Sequence, residues 1–127
     1  MPHTRVVFFR EEPGDVPVLY FLQELRELNE EAYARCAAAI GRLAASGHEL
    51  RRPTADYLRD DIYELRVRCG RVHYRILYAF HGRQLAVLAH ALAKEGRVPP
   101  ADIVRAIRRM DQFRRNPAAH TYEEELP

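Results

Sequence analysis

The stretch Tyr63–Phe80, YELRVRCGRVHYRILYAF, decides the fold. β-branched and aromatic residues dominate it, as is typical of strands, and the central Cys69–Gly70 pair predicts a tight hairpin turn. Side chains of a strand alternate between the two faces of a sheet, so the apolar residues share one face and the basic residues the other. The basic residues are Arg66, Arg68, Arg71, His73 and Arg75. Like charges opposite one another destabilise a sheet, so this concentration of cations predicts an anion-binding face. The alternative is a solvated face on which Glu64 and Asp60 partner the arginines.

The sequence on either side of this hairpin predicts an α+β domain. Asp15 and Asn29 are predicted N-caps of two helices with apolar residues at helical spacing, and Gly47 ends the second helix. Residues 48–60 are predicted to form a loop, and Pro99–Pro100 opens a last helix. The predicted strands are Arg5–Phe9, Ile62–Arg68, Arg71–Phe80 and Gln84–Lys94. The element order is therefore β-α-α-β-β-β-α, with a largely antiparallel four-stranded sheet packed on helices.

Length and composition predict one domain in a chain of 127 residues. We expect residues 1–115 to form this domain and residues 116–127 to be a flexible acidic tail. No apolar run reaches the roughly 20 residues that span a bilayer, and the N-terminus does not resemble a signal peptide, so a cytoplasmic location and no membrane partner are expected. Cys36 and Cys69 lack metal-ligand spacing, and neither a metal nor a cofactor is predicted.

Charge is distributed unevenly along the chain, although the net charge is only +2. Residues 51–115 contain 15 basic and 7 acidic residues, whereas residues 1–50 contain 5 arginines and 8 acidic residues. A basic second half favours an anionic partner such as nucleic acid. The alternative is an arginine-rich surface that reflects genome composition alone.

Several short motifs between Gly47 and Met110 resemble the RelE/ParE superfamily of bacterial toxins, specifically its phage-derived HigB-type branch. These motifs are ELRRP, IYELRV, YRILYAF, VLAHALAK and VPPADIVRAIRR. The resemblance implies a RelE-like β-α-α-β-β-β-α fold and a toxin of a type II toxin–antitoxin system, usually a ribosome-dependent mRNA endoribonuclease. It also implies a helix-turn-helix antitoxin as partner, with operator DNA bound only indirectly through that antitoxin.

The sequence departs from this branch after its third long strand. The branch usually has a Lys-Lys pair there, of which Lys94 matches the first member and Glu95 replaces the second. Arg97 can supply the missing charge, or the activity can be weakened. Ala91 stands where a glycine is expected.

Metal-free RNA cleavage requires a base for the ribose 2′-OH, a cation for the charge that develops on phosphorus, and an acid for the leaving 5′-oxygen. Arg66 and Arg75 are the predicted transition-state cations, because guanidinium groups grip phosphate oxygens in a fork. Lys94 is a candidate cation or base, and His90 is either a proton-exchanging group or a hydrogen-bonded structural histidine. The predicted RNA-binding residues are Arg68, Arg71, His73, Arg97, Arg51 and Arg52.

The same sequence features are compatible with two other functions. The first is a ParE-type protein that inhibits DNA gyrase and does not cut RNA. The second is a catalytically decayed relative that still binds nucleic acid, which the Glu95 replacement favours.

Overall fold

The computed structural model describes residues 3–12, 14–124 and 126, and within them six strands and four α-helices. The strands are β1 (Arg5–Phe9), β2 (Ala55–Arg59), β3 (Ile62–Cys69), β4 (Val72–His81), β5 (Leu85–Ala93) and β6 (Thr121–Tyr122). The helices are α1 (Pro17–Leu28), α2 (Glu30–Ser46), α3 (Pro100–Arg115) and α4 (Pro117–His120), and a short 3-10 turn covers Gly47–Glu49. None of the helices in the described part of the chain has the length and apolar character needed to cross a membrane.

The six strands form one mixed sheet in the order β2-β3-β4-β5-β1-β6. β1 lies parallel to β5, and every other neighbouring pair is antiparallel. The α+β class is confirmed. The predicted number of four strands is wrong, because β2 forms within the predicted loop and β6 within the predicted tail. Antiparallel pairs predominate as predicted, and the parallel β1–β5 pair makes the sheet mixed.

Two tight turns set the register of the long strands. β2 and β3 are joined by Asp60 and Asp61, whose φ angles of 51° and 65° suit a two-residue hairpin turn. Cys69 pairs with Val72, so the next hairpin turns at Gly70–Arg71, with Gly70 at φ 62°. The turn predicted at Cys69–Gly70 is therefore placed one residue too early.

The sheet is covered on both faces. α1 and α2 pack on one face, where Leu22, Leu43 and Ile76 are fully buried. α3 packs on the other face, where Met110 and Phe113 are fully buried. α3 contacts mainly β5 and β4, and a cavity remains beside it at the end of this face formed by β3 and the adjoining part of β4.

Of the two predicted N-caps, Asn29 is confirmed and Asp15 is wrong. Asn29 caps α2 as predicted, since its side-chain oxygen accepts a hydrogen bond from the Ala32 N–H at 3.1 Å. Asp15 does not cap α1, because Val16 occupies the N-cap position and makes no side-chain bond there.

The segment Pro117–Tyr122, predicted to lie in a flexible tail, has regular structure at the edge of the sheet. β6 pairs with β1 through Phe8 and Phe9. The His120 ring stacks on Phe9 with centroids 5.3 Å apart, and its Nδ1 lies 2.8 Å from the Arg10 carbonyl oxygen. These contacts attach the segment to the domain beyond the predicted boundary at residue 115.

Candidate nucleic-acid interface

A cavity of about 760 Å³ occupies the open end of the sheet. β3 and β4 form its floor, β2 forms one side, and the loop before α3 forms the opposite wall. Its lining residues are Asp56, Leu58, Arg59, Glu64, Arg66, His73, Arg75, Gly96, Arg97, Val98, Pro99, Pro100 and Ile103. The structure therefore brings four of the predicted site residues together, namely Arg66, His73, Arg75 and Arg97.

Strand register explains why these side chains meet. Arg66 pairs with Arg75, and Arg68 pairs with His73, so all four point to the same face of the sheet. Glu64 lies two residues before Arg66 on β3, so its carboxylate points to the same face, beside Arg66 and Arg75.

Arg75 is buried, although the sequence analysis places it on an exposed cationic face. Its Nη1 donates to Glu64 Oε1 at 2.6 Å, and the two side chains are only 8% and 6% exposed. Its Nη2 donates to the Gly96 carbonyl oxygen at 2.8 Å. The prediction that Arg75 is an exposed cation is therefore wrong, because Glu64, the alternative counter-ion, neutralises it. The same guanidinium connects β3, β4 and the loop that carries Arg97.

Arg66 and Arg97 are exposed on the cavity and form no ion pair within the described part of the chain. Asp56 at the cavity rim has a lowered pKa, first because Arg52 donates a hydrogen bond to it and further because Arg66 adds positive charge nearby. Gly96, at φ 79°, lets the chain turn just before Arg97. The cavity thus retains two guanidinium groups that are free to bind an anion.

Other predicted cations lie near the cavity without lining it. Arg68 is exposed, and its Nε donates to the Gly70 carbonyl oxygen at 3.0 Å. Arg71 is exposed in the hairpin turn. Lys94 is exposed, and its backbone N–H donates to the His73 carbonyl oxygen at 2.9 Å. Arg68 pairs with His73 and Lys94 bonds to its carbonyl oxygen, so these two residues lie beside the cavity residue His73.

Arg51 and Arg52 belong to a neighbouring depression of about 540 Å³, which shares Asp56 with the main cavity. Arg52 forms an ion pair with Asp56, with Nη2 and Oδ2 2.9 Å apart. Arg51 donates to the His48 carbonyl oxygen at 2.8 Å. The structure therefore separates these two residues from the cluster of Arg66, His73 and Arg97.

His90 lies outside the cavity lining, in a buried network between β5 and α3. Its Nε2 lies 2.6 Å from Asp102 Oδ1, and its Nδ1 lies 3.2 Å from Arg109 Nη1. Since an arginine can only donate, His90 Nδ1 accepts a hydrogen bond from Arg109. His90 Nε2 therefore carries the ring hydrogen and donates a hydrogen bond to Asp102. Burial lowers the pKa of His90, and the charge of Arg109 lowers it further against the opposing effect of Asp102. This geometry matches the predicted alternative of a hydrogen-bonded structural histidine.

A β-bulge in β5 interrupts the strict alternation of side chains next to His90. Tyr78 pairs with Leu88 and Leu77 pairs with His90, so Ala89 has no direct partner on β4. Ala89 and His90 both face α3, whereas alternation predicts opposite faces. Asp102 and Arg109 have no sequence signal for this network, because their link to His90 depends on how α3 packs.

Metal-ligand geometry is a separate question. Within the described ranges, no group of three or more histidine, cysteine, aspartate or glutamate side chains is placed to hold a metal ion.

Comparison with known protein families gives one match. The family described as "Phage derived protein Gp49-like (DUF891)" matches residues 23–111, a span that contains all residues lining the main cavity. A comparison with curated proteins finds no match. Because the family match covers well over half of the chain, the protein belongs to the Gp49-like family of phage-derived proteins, a RelE/toxin-like family.

Proposed function

We propose that this protein is the toxin of a type II toxin–antitoxin system and acts as a ribosome-dependent mRNA endoribonuclease of the HigB type. The family match and the motif resemblance support the toxin assignment. The observation that carries the RNA assignment is the cavity in which Arg66 and Arg97 remain unpaired around His73. Polyanion binding by guanidinium groups follows from their permanent charge and their fork of donors.

The proposed reaction is an internal transesterification of RNA. The ribose 2′-oxygen attacks the adjacent phosphorus as its proton passes to a base, and the bond to the 5′-oxygen breaks as that oxygen gains a proton. The products are a 2′,3′-cyclic phosphate and a 5′-hydroxyl. Arg66 is positioned to stabilise the negative charge on the phosphoryl oxygens. Half-buried His73 on the cavity floor is the proposed base, because histidine exchanges protons near neutral pH.

Arg75 and Arg97 have different proposed roles in this cavity. Arg75 acts as a positioning residue, since its bond to the Gly96 carbonyl oxygen fixes the loop that carries Arg97. Arg97 supplies the second cation of the site, in place of the lysine that Glu95 replaces. Lys94 lies next to His73 through the backbone and is proposed to hold an adjacent phosphate.

An antitoxin with a helix-turn-helix domain is the proposed protein partner, and cytoplasmic mRNA on the ribosome is the proposed substrate. A partner that covers the cavity would block Arg66 and Arg97 together. Operator DNA is expected to be contacted through the antitoxin alone.

A cell-free translation reaction tests this function. The purified protein is added to a defined mRNA, and new 5′ ends are mapped by primer extension. We expect ribosome-dependent cuts with 5′-hydroxyl ends, at least a tenfold loss of cutting for Arg66→Ala, and no loss for Arg83→Ala, a matched exposed arginine outside the cavity. Cuts that persist unchanged in Arg66→Ala would remove this assignment.

Binding without cleavage is the second candidate function. The neutralised Arg75 and the Glu95 replacement favour it, because both reduce the charge available to a transition state. In the same experiment it predicts inhibition of translation without new 5′ ends. A gyrase inhibitor of the ParE type would leave translation unaffected.

A further inference from the structure

The open edge of β3 carries a groove that leads away from the main cavity. A depression of about 280 Å³ is lined by Pro53, Arg66, Val67, Arg68, His73 and Arg75. It shares Arg66, His73 and Arg75 with the main cavity. The side chains of Arg66 and Arg68 point to one face of the sheet and that of Val67 to the other. A depression that touches all three therefore crosses the edge of the strand.

This edge is accessible because β2 is shorter than β3. β2 pairs with β3 from Ile62 to Leu65, and beyond it only the Arg66 N–H bonds to the Thr54 carbonyl oxygen. Val67 to Cys69 have no strand neighbour on this side within the described residues.

The groove continues onto the surface of α2. A third depression of about 330 Å³ is lined by Arg35, Ala38, Arg42, Arg66, Val67 and Arg68. Arg35, Ala38 and Arg42 are exposed at helical spacing, so they lie on one side of α2. The small side chain of Ala38 leaves room between the two arginines.

The charge of this path is strongly positive. Arg42, Arg66 and Arg68 form no ion pair with any described residue, whereas Arg75 is paired with Glu64 and Arg35 with Glu31, whose Oε2 lies 3.1 Å from Arg35 Nη2. A row of guanidinium groups of which Arg42, Arg66 and Arg68 form no ion pair suits a chain of phosphates better than a single anion.

We infer that single-stranded RNA extends from the main cavity over the edge of β3 to α2, where Arg42 and Arg68 bind its flanking phosphates. This inference rests on the proposed function, since it assumes that RNA occupies the main cavity. It assigns Arg42 a role in substrate binding that depends on the length of the RNA.

Fluorescence anisotropy with two RNA oligonucleotides tests the inference. One has about four nucleotides and the other about twelve, within the range of known single-strand binding sites. Both carry 2′-O-methyl groups, which prevent 2′-OH attack. We expect Arg42→Ala to weaken binding of the longer RNA, to reduce its salt-dependence slope by about 0.7, and to leave the shorter RNA unaffected.

Two further variants separate this inference from the proposed function. Arg66→Ala should weaken the binding of both RNAs, and Arg83→Ala should weaken the binding of neither. The inference is overturned if Arg42→Ala behaves like Arg83→Ala with the longer RNA, or weakens both RNAs equally. In either case a loss of binding in Arg66→Ala would leave the proposed function standing. If Arg66→Ala also has no effect on binding, the proposal that RNA binds in the main cavity is contradicted.

Discussion

At the residue scale, the Arg75 guanidinium joins β4 to β3 and to the loop before α3 through its bonds to Glu64 and the Gly96 carbonyl oxygen. Alternation along β3 and β4 correctly places Arg66, Arg68, His73 and Arg75 on one face. Alternation does not predict which arginine is neutralised, because the pairing with Glu64 depends on how two strands align and on where the loop at Gly96 returns. A buried ion pair is tolerated when the charges are paired and further hydrogen-bonded, as Arg75 is here by Glu64 and the Gly96 carbonyl oxygen.

The Glu64–Arg75 pair leads to a stability prediction. Glu64→Ala leaves the Arg75 guanidinium buried without a counter-ion, and we expect it to lower the free energy of unfolding by about 3 kcal/mol. Urea unfolding of the purified variant measures this loss. The double variant Glu64→Leu with Arg75→Met should recover most of it, since an apolar pair leaves no uncompensated charge. A single variant as stable as the double variant would contradict the account.

His90 leads to a prediction about acid stability. Its pKa in the folded protein lies below the ordinary 6.5, because burial and Arg109 disfavour its charged form. The unfolded chain therefore binds this proton more readily, so stability present above pH 6.5 is lost as the pH falls through the lowered pKa. We expect the unfolding free energy of the wild type to fall more steeply with acidification in this range than that of His90→Asn. Equal slopes from urea titrations at several pH values would show that His90 does not contribute.

At the scale of elements, local sequence signals predict the long helices and strands. The short strands β2 and β6 and the bulge in β5 depend on pairing between distant segments. β2 lies within the segment predicted to be a loop, and it becomes a strand because β3 pairs with it. β6 has two residues and exists only through β1. The β5 bulge has no signal in the alternation of side chains, so alternation does not predict that Ala89 and His90 both face α3.

The junction between α1 and α2 gives the prediction at this scale. Asn29 ends α1 through its backbone N–H, which donates to the Leu25 carbonyl oxygen, and caps α2 through its side chain. We expect Asn29→Ala to lower the unfolding free energy by about 1 kcal/mol, the usual cost of losing an N-cap. Thermal or urea unfolding measures the change, and Asn29→Asp, which keeps a side-chain acceptor, serves as the control. A loss of equal size in both variants would indicate that the cap bond is not its cause.

At the scale of the whole molecule, the cavity results from incomplete coverage of one sheet face. α3 covers mainly β5 and β4, and the cavity beside it retains the basic side chains of β3 and of the loop before α3. The sequence predicts the basic face and its residues, because alternation is local. It does not predict the cavity wall, because the position of Arg97 depends on α3 and on the Arg75 bond to Gly96.

In the proposed complex, RNA phosphates bind between Arg66 and Arg97. NMR of the arginine side-chain Nε–H groups tests it most directly, during titration with a 2′-O-methyl RNA of about six nucleotides, a length suited to a single-strand site. We predict that the Arg66 and Arg97 resonances shift with RNA concentration while that of Arg83, outside the cavity, stays in place. Unchanged Arg66 and Arg97 resonances, or shifts equal to that of Arg83, would contradict the account.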